Sequence, residues 1–440
     1  MLRQLLIVLL VGSGVSSIGV AADRETKVRG DKKQVESAGF WIYNDLSRGI
    51  AQATKSKKPL LVVFRCIPCE ACAQLDEQVV ERDPGVRDLL DKFVCVRIVQ
   101  TNGMDLSLFQ FDYDQSWAAF FMNADMTIYG RYGTRSHETE SVHDVSLESF
   151  SKALAGALEL HSQFPKNKEL FATKRGPASA VKVPEDFPKL KGKYGAKLDY
   201  EGKVVQSCIH CHQVGESLRQ VAREGGKAMP DKVLFPYPNP KVLGLILDPK
   251  ERATIQQVVA GSVADKDGFQ VGDEITQLSG QPILSIADVQ WVLHHADASK
   301  SLKVEVSRKG QTKSLKLSLP DGWRRADDIS WRATSWDLRR MTLGGVQLES
   351  LPEETRVELK LPKDQLALRA KHVGQYNEHA VAKQAGFLNG DIIVAVDGDR
   401  SPQTESSLMA RLAQTKRPGD QITLSVLRGQ QKFEFKFAQQ

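Results

Sequence analysis

A pattern that recurs 118 residues along the chain (262 to 380) constrains its fold most. Residues 262–275 read Ser-Val-Ala-Asp-Lys-Asp-Gly-Phe-Gln-Val-Gly-Asp-Glu-Ile, and residues 380–393 read Ala-Val-Ala-Lys-Gln-Ala-Gly-Phe-Leu-Asn-Gly-Asp-Ile-Ile. Val-Ala, Gly-Phe and Gly-Asp return in the same order, and Gly280 matches Gly398 in the same register. Two copies of one small β-rich domain are the simplest account. They leave the first half of a 440-residue chain for other units, and a chain of this length divides into two to four domains.

The chemistry lies in the cysteines. Five of the six fall in Cys-x-x-Cys spacings: Cys66, Cys69 and Cys72 in one overlapping run, and Cys208 with Cys211 in Cys-Ile-His-Cys-His. Only Cys95 stands apart, as a small buried apolar side chain. Pro59–Phe64 is a short apolar, β-branched run with the look of a buried strand. Residues 73–80 after the run can form a helix. A thiol at a helix N-terminus has its thiolate stabilised by the dipole and free N–H groups. A second cysteine one turn later can resolve a mixed disulfide. The other readings of the run are a structural disulfide, buried reduced thiols without turnover, or a metal site whose fourth ligand would have to be Cys95.

Residues 51–58, the strand, residues 83–90 and residues 93–98 together resemble the thioredoxin-like family of exported bacterial proteins, over roughly residues 40–135. The resemblance implies Cys69 as nucleophile and Cys72 as resolving thiol, with Cys66 in the approach. Two departures stand out. Trp117 occupies the place of the family's cis-proline, and a non-proline cis bond costs about 2.5–4 kcal/mol, so this loop is expected to be trans. Glu70 between the cysteines opposes a thiolate, while Arg65 can counter it.

Cys-x-x-Cys-His is the attachment signal for c-type haem: the thiols of Cys208 and Cys211 would form thioethers, and His212 would ligate the iron. Met229 is the candidate sixth ligand. The segment 201–235 is short for a haem to be wrapped by it alone. A local disulfide or a zinc site are the alternatives, with His210 inside the motif.

Arg3, the apolar Leu5–Val11 and Val20-Ala21-Ala22 read as a secretory signal over 1–22, cleaved after Ala22. The expected location is the periplasm or cell envelope, where thiol pairs persist as disulfides. No later segment is long and apolar enough to span a bilayer. A net charge of +6 gives no case for nucleic acid. Residues 23–39 read as a flexible charged lead, 40–162 as one α/β unit, and the Lys- and Pro-rich 163–200 as a linker.

Each repeat, over 236–320 and 336–440, resembles a PDZ domain of the HtrA type. That likeness implies strand addition of extended peptides beside a long helix, 286–295 or 404–412. The carboxylate loops would be Leu243, Gly244 and Leu245 in the first copy and Gly344, Gly345 and Val346 in the second. No serine-protease nucleophile stretch is present. The fold expected is α/β plus mainly β, a thioredoxin-like fold followed by two PDZ-like domains. The whole resembles an exported bacterial thioredoxin–PDZ family, some members of which carry selenocysteine in the thiol run. The expected function is a thiol–disulfide redox protein, with c-type haem expected in its middle segment, that recruits peptide or protein C-termini and meets a protein disulfide or an electron-transfer partner. The rival is a non-catalytic PDZ scaffold with structural cysteines, or haem-only electron transfer.

Overall fold

The computed structural model describes residues 15–69, 73–137, 143–225, 228–296 and 300–440, with side chains from residue 23 onward. Residues 1–14 of the expected signal segment, and Glu70 and Cys72, lie outside the described residues.

The N-terminal half holds α1 (Val15–Ala38), β1 (Ile42–Tyr43), α2 (Leu46–Ser56), β2 (Leu60–Arg65), α3 (Ala73–Val80), α4 (Pro84–Leu90), β3 (Val94–Ile98), β4 (Trp117–Met122), β5 (Ile128–Tyr132) and α5 (Leu147–Ser162). The five strands form one sheet in the order β1-β3-β2-β4-β5, with β2 parallel to β3 and antiparallel to β4. Polar caps fix the helix starts: Asp45 accepts from Arg48 N, Asp83 from Gly85 N with a proline in the first turn, and Ser146 from Ser149 N.

Every residue of β2 is buried, and alternation sends its side chains to two separate cores. Leu61 and Val63 join Trp117, Ala119 and Phe121 beneath α3, α4 and α5. Leu60, Val62 and Phe64 join Val96, Phe120 and Met122 on the other face. That second face is completed by Phe187, Leu190, Ile209 and Val214. Residues 163–200 are therefore no free linker. Phe187 and Leu190 anchor them to the sheet, and 3₁₀ turns at Lys168–Lys174 and Pro184–Asp186 shape them. Apolar anchors this sparse carry no period for a sequence reading to find.

The expected flexible lead is likewise helical, as the end of α1. Val28 and Val35, seven residues apart, are buried on one stripe. Arg29 donates to the carbonyls of Tyr200 and Gly202 at 2.6 and 2.7 Å. The charged residues that suggested flexibility satisfy one another instead, as in Lys27–Asp23 and Arg29–Glu25 at i,i+4.

The middle segment forms α6 (Val204–Ser207), α7 (Cys211–Glu224) and α8 (Asp231–Leu234). The first repeat follows with β6 (Leu245–Leu247), β7 (Ile255–Val258), α9 (Val263–Lys266), β8 (Glu274–Leu278), β9 (Gln281–Pro282), α10 (Ile286–His294), β10 (Ser301–Arg308) and β11 (Gln311–Ser318). The second has α11 (Ser335–Leu343), β12 (Val346–Ser350), α12 (Glu353–Glu358), β13 (Leu368–Val373), α13 (Val381–Gln384), β14 (Ile392–Val396), α14 (Glu405–Thr415), β15 (Gln421–Arg428) and β16 (Gln431–Ala438). The repeated Gly-Asp has a physical reason. Asp273 takes two hydrogen bonds from Arg308, both 2.7 Å, and Asp391 takes two from Arg428 at 2.7 and 2.8 Å. The same arginines donate to Gly268 O and Gly386 O, so each pair ties the turn to the last hairpin.

Buried charges tie the first repeat, and the stretch just before α11, to the N-terminal half. Lys174 Nζ donates to Asp288 Oδ1 of α10 at 2.9 Å, with both side chains sealed from solvent. Arg332 donates to both oxygens of Asp112 at 2.6 and 2.7 Å, and Thr334 caps Asp114 through its N–H and hydroxyl. Removing one member of such a pair strands the other charge. Asp288→Ala should lower the unfolding free energy by about 3–5 kcal/mol. The double change Lys174→Met with Asp288→Leu should recover most of that loss. Urea unfolding of the full chain measures both, and an unchanged midpoint for Asp288→Ala would refute the role.

Candidate functional site

The thiol run continues directly from β2. Cys66 N donates to Ser116 O at 2.9 Å, which extends the β2–β4 ladder by one rung, and Cys69 N turns back to Cys66 O at 3.1 Å. The chain at 115–117 is trans, since the cis peptide bond among the described residues is Phe164–Pro165. Beneath the run sits a carboxylate that the sequence reading passed over. Asp76 of α3 accepts from Arg65 Nε at 3.1 Å, from Arg97 Nη1 and Nη2 at 2.7 and 2.8 Å, and from Trp117 Nε1 at 3.0 Å. Its pKa is lowered: burial works against the charged form, but the two guanidiniums outweigh it. Arg97 also holds Asp31 of α1 at 2.7 Å. Arg65, fixed this way, gives its other nitrogen to Cys66 O at 2.7 Å. A lone Asp inside a helical pattern carries no signal for this. The signal available was two arginines, Arg65 and Arg97, in otherwise apolar strands.

The 208–212 motif lies against this site. Ile209 is fully buried in the second core of the sheet. Its N–H donates to Asn102 Oδ1 at 2.8 Å, and its carbonyl accepts from Thr101 Oγ1 at 2.7 Å. Cys211 opens α7, with Gln213 accepting from His210 N at 2.8 Å. Cys66 Sγ lies 3.5 Å from His210 Nδ1. The rings of His210 and His212 stack at 5.5 Å with an interplanar angle of 4°. Cys66, Cys208, His210 and Cys211 line one small space of about 10 Å³ with Phe64, Arg65 and residues 98–101.

Burial dominates the thiols. It pushes Cys66 up to about 11, with Cys69 adding to the shift and Arg65 opposing it. It pushes Cys208 up to about 12, with Cys66 adding to the shift. Cys211 goes well above the ordinary range for the same two reasons, with Cys208 adding further. His210 is pushed down to about 4, by burial first and then by His212. Cys95 is raised by burial, deep beside α4.

A haem does not fit these residues as they are packed. Ligand pockets run from about 300 to 1,000 Å³, and the space at Cys208 and Cys211 is about 10 Å³. Met229, the expected sixth ligand, is instead buried in the core of the second repeat with Leu234, Phe235 and Met341. Among the described residues no group of three or more His, Cys, Asp or Glu side chains is placed to hold a metal ion.

The two peptide grooves differ. In the second repeat Gly345 N donates to Arg339 O at 2.9 Å, so a carboxylate-loop amide is already bonded. Leu348 N of β12 donates across the groove to Glu405 Oε1 of α14 at 2.6 Å. Arg339 clamps that carboxylate at 2.9 and 2.7 Å, with both side chains buried. Helix α11 thus lies where a peptide strand would add, beside Gly344, Gly345 and Val346. In the first repeat Leu243 and Leu245 are buried and Gly244 has φ +91°. A Cβ on Gly244 would come within 2.0 Å of Ser262 Oγ, so only glycine serves there. Among the described residues β6 pairs only with β7, and no α10 side chain reaches a β6 amide. The position matching Glu405, directly after the N-cap, is Ile286.

A thiol pushed to about 11 is ionised to roughly one part in a thousand at pH 8. Alkylation of Cys66 in the reduced protein should therefore be slow at pH 8 and rise about tenfold per pH unit up to pH 10. Residue-resolved mass spectrometry after iodoacetamide pulses checks this, and a rate that is flat with pH would contradict it.

The comparisons with known proteins follow this division of the chain. A thioredoxin-like family model matches residues 41–124, and a PDZ domain model matches residues 238–319 and 368–437. A probable periplasmic serine protease do/HhoA-like from Haemophilus influenzae is 23% identical over 184 residues, 42% of this chain and 34% of its own length. A probable periplasmic serine endoprotease DegP-like from Ectopseudomonas mendocina is 28% identical over 183 residues, 41% of this chain and 37% of its own. One of the same description from Pseudomonas putida strain GB-1 is 30% identical over 150 residues, 33% and 29% of the two lengths. The chain spans about a third of the length of these curated relatives. Among solved structures, the HtrA-type protease AlgW with decapeptide matches at 22% identity, over 31% of this chain and 40% of that one, with a TM-score of 0.20.

Proposed function

We propose that this chain, a thioredoxin-like domain followed by two PDZ domains, is an exported thiol–disulfide redox protein that holds its partner by an extended peptide. The observation that carries the reading is the position of Cys66 and Cys69. They follow β2 directly, over a buried Asp76 that fixes Arg65 beside them. Cys69 would attack a disulfide of the partner, and a neighbouring thiol, Cys72 or Cys66, would resolve the mixed disulfide. The periplasmic relatives and the absence of any described helix long and apolar enough to cross a membrane support export, with a signal over 1–22.

The first PDZ domain is the one that would take the peptide, because its strand edge at β6 carries no internal substitute for a ligand strand. The second has its own Arg339 and Glu405 in that place.

Two outcomes are expected. Cys69→Ser should lose reduction of a model protein disulfide by at least about a hundredfold while circular dichroism stays that of the parent, since the thiolate is the attacking species. Unchanged turnover would end the enzymatic reading. In fluorescence titration, an apolar peptide with a free C-terminus should bind once per chain and amidation should weaken it. Two equivalent sites would contradict the closed second groove.

A further inference from the structure

We propose that Cys208 and Cys211 are a second dithiol–disulfide pair, and that Cys66 and Cys69 exchange disulfides with it inside the same chain. This inference rests on the thiol–disulfide reading above and names a substrate for the site within the molecule.

Three observations carry it. Cys66, Cys208 and Cys211 line one small space of about 10 Å³, too small for a haem but suited to sulfur–sulfur exchange. Cys211 is the first residue of the 14-residue helix α7 and Cys208 lies just ahead of it, which gives the pair the Cys-x-x-Cys-then-helix layout of a redox dithiol. Ile209, between them, is bonded to Thr101 and Asn102, which holds the pair against the end of β2 and β3. Cys66 also raises the thiol pKa of both Cys208 and Cys211, so the three sulfurs share one local field.

The exchange balances without another reagent. The Cys66 thiol, whose sulfur lies 3.5 Å from His210 Nδ1, loses its proton to solvent hydroxide. The thiolate attacks one sulfur of the Cys208–Cys211 disulfide; that S–S bond breaks and a bond from Cys66 forms. The leaving thiolate takes a proton from water. Cys69, its own proton passing to water, attacks Cys66 Sγ. The Cys66–Cys69 disulfide forms, and the second thiolate of the 208–211 pair is protonated by water. Two electrons and two protons have moved from one pair to the other. The Cys66–Cys69 disulfide can then oxidise an external dithiol, and the exchange run in reverse returns the reduced pair, whose Cys69 can attack an external disulfide. Cys66 thereby gains a role distinct from that of Cys69: it faces inward.

The test uses the full-length exported chain, equilibrated in glutathione buffers, quenched with N-ethylmaleimide and mapped by mass spectrometry. In Cys69→Ser/Cys72→Ser no thiol of the run remains to resolve the intermediate. The expected result is a Cys66–Cys208 or Cys66–Cys211 bridge, with loss of alkylation at both partners together. Cys208→Ser and Cys211→Ser, made separately in the wild-type background, identify the sulfur attacked and guard against misfolding of any one variant. Absence of the bridge in all three variants, with Cys208 and Cys211 alkylated independently of Cys66, would overturn the proposal. So would haem covalently attached at both cysteines, seen in the absorbance spectrum. Reduction of an external protein disulfide is measured in parallel. External activity without the bridge removes the relay alone, and the bridge without external activity removes the external substrate alone.

Discussion

Charges sealed away from water decide how this chain is assembled. Lys174, in the 3₁₀ turn after α5, pairs with Asp288 of the first repeat, and Arg332, just before α11, pairs with Asp112 and Asp114 between β3 and β4. Buried pairs of this kind add little net stability, because the desolvation cost roughly cancels the attraction. What they give is register: with either partner displaced, the other is a bare charge in an apolar contact. Leu284 packs over Gly130 and Gly156 in the same interface, where a Cβ on either glycine would come within 2.8 Å of it. Helix α10 therefore presents one face to its own repeat and another to β5. The first PDZ domain is thereby a fixed neighbour of β5 and α5.

The same logic runs inside the first domain. Asp76 collects Arg65, Arg97 and Trp117, and Arg97 reaches on to Asp31 in α1. One carboxylate thus links β2, β3, β4, α3 and the N-terminal helix. The two guanidiniums are matched by two carboxylates, Asp76 and Asp31, and Arg65 is the member of the cluster that lies next to Cys66. Its charge does not win at Cys66, whose burial outweighs it. A thiol in that state is chemically quiet until a base and a disulfide meet it, which suits a residue whose partners are built into the fold.

Sequence was most informative where one physical requirement repeats. Gly-Asp could be read twice because each aspartate must pair with an arginine on the closing hairpin, and the glycine before it has a positive φ in both copies. The run Leu60–Arg65 could be read because its strand is buried on both faces. The lead helix and the stretch 163–200 could not, since Val28, Val35, Phe187 and Leu190 are single anchors among charged text and their partners lie far along the chain. The Asp76 hub and the Arg339–Glu405 clamp stayed hidden for the same reason: residues 66 positions apart met only after folding.

The Cys-x-x-Cys-His motif shows where such a reading ends. Five residues specify two thiols and an imidazole in local order, and that order serves thioether attachment and disulfide exchange equally well. What separates the two is volume, which is set by residues outside the motif. Ile209 enters the sheet's second core, Thr101 and Asn102 bond its backbone, and Phe64 closes the floor. Widening the space enough for a haem would disturb the packing that buries Ile209, and full burial of an Ile side chain is worth about 1.5–3 kcal/mol. Disulfide exchange requires none of this, because sulfur atoms already share the space. The packing around Ile209, rather than the motif, is what leaves so little room beside Cys208 and Cys211.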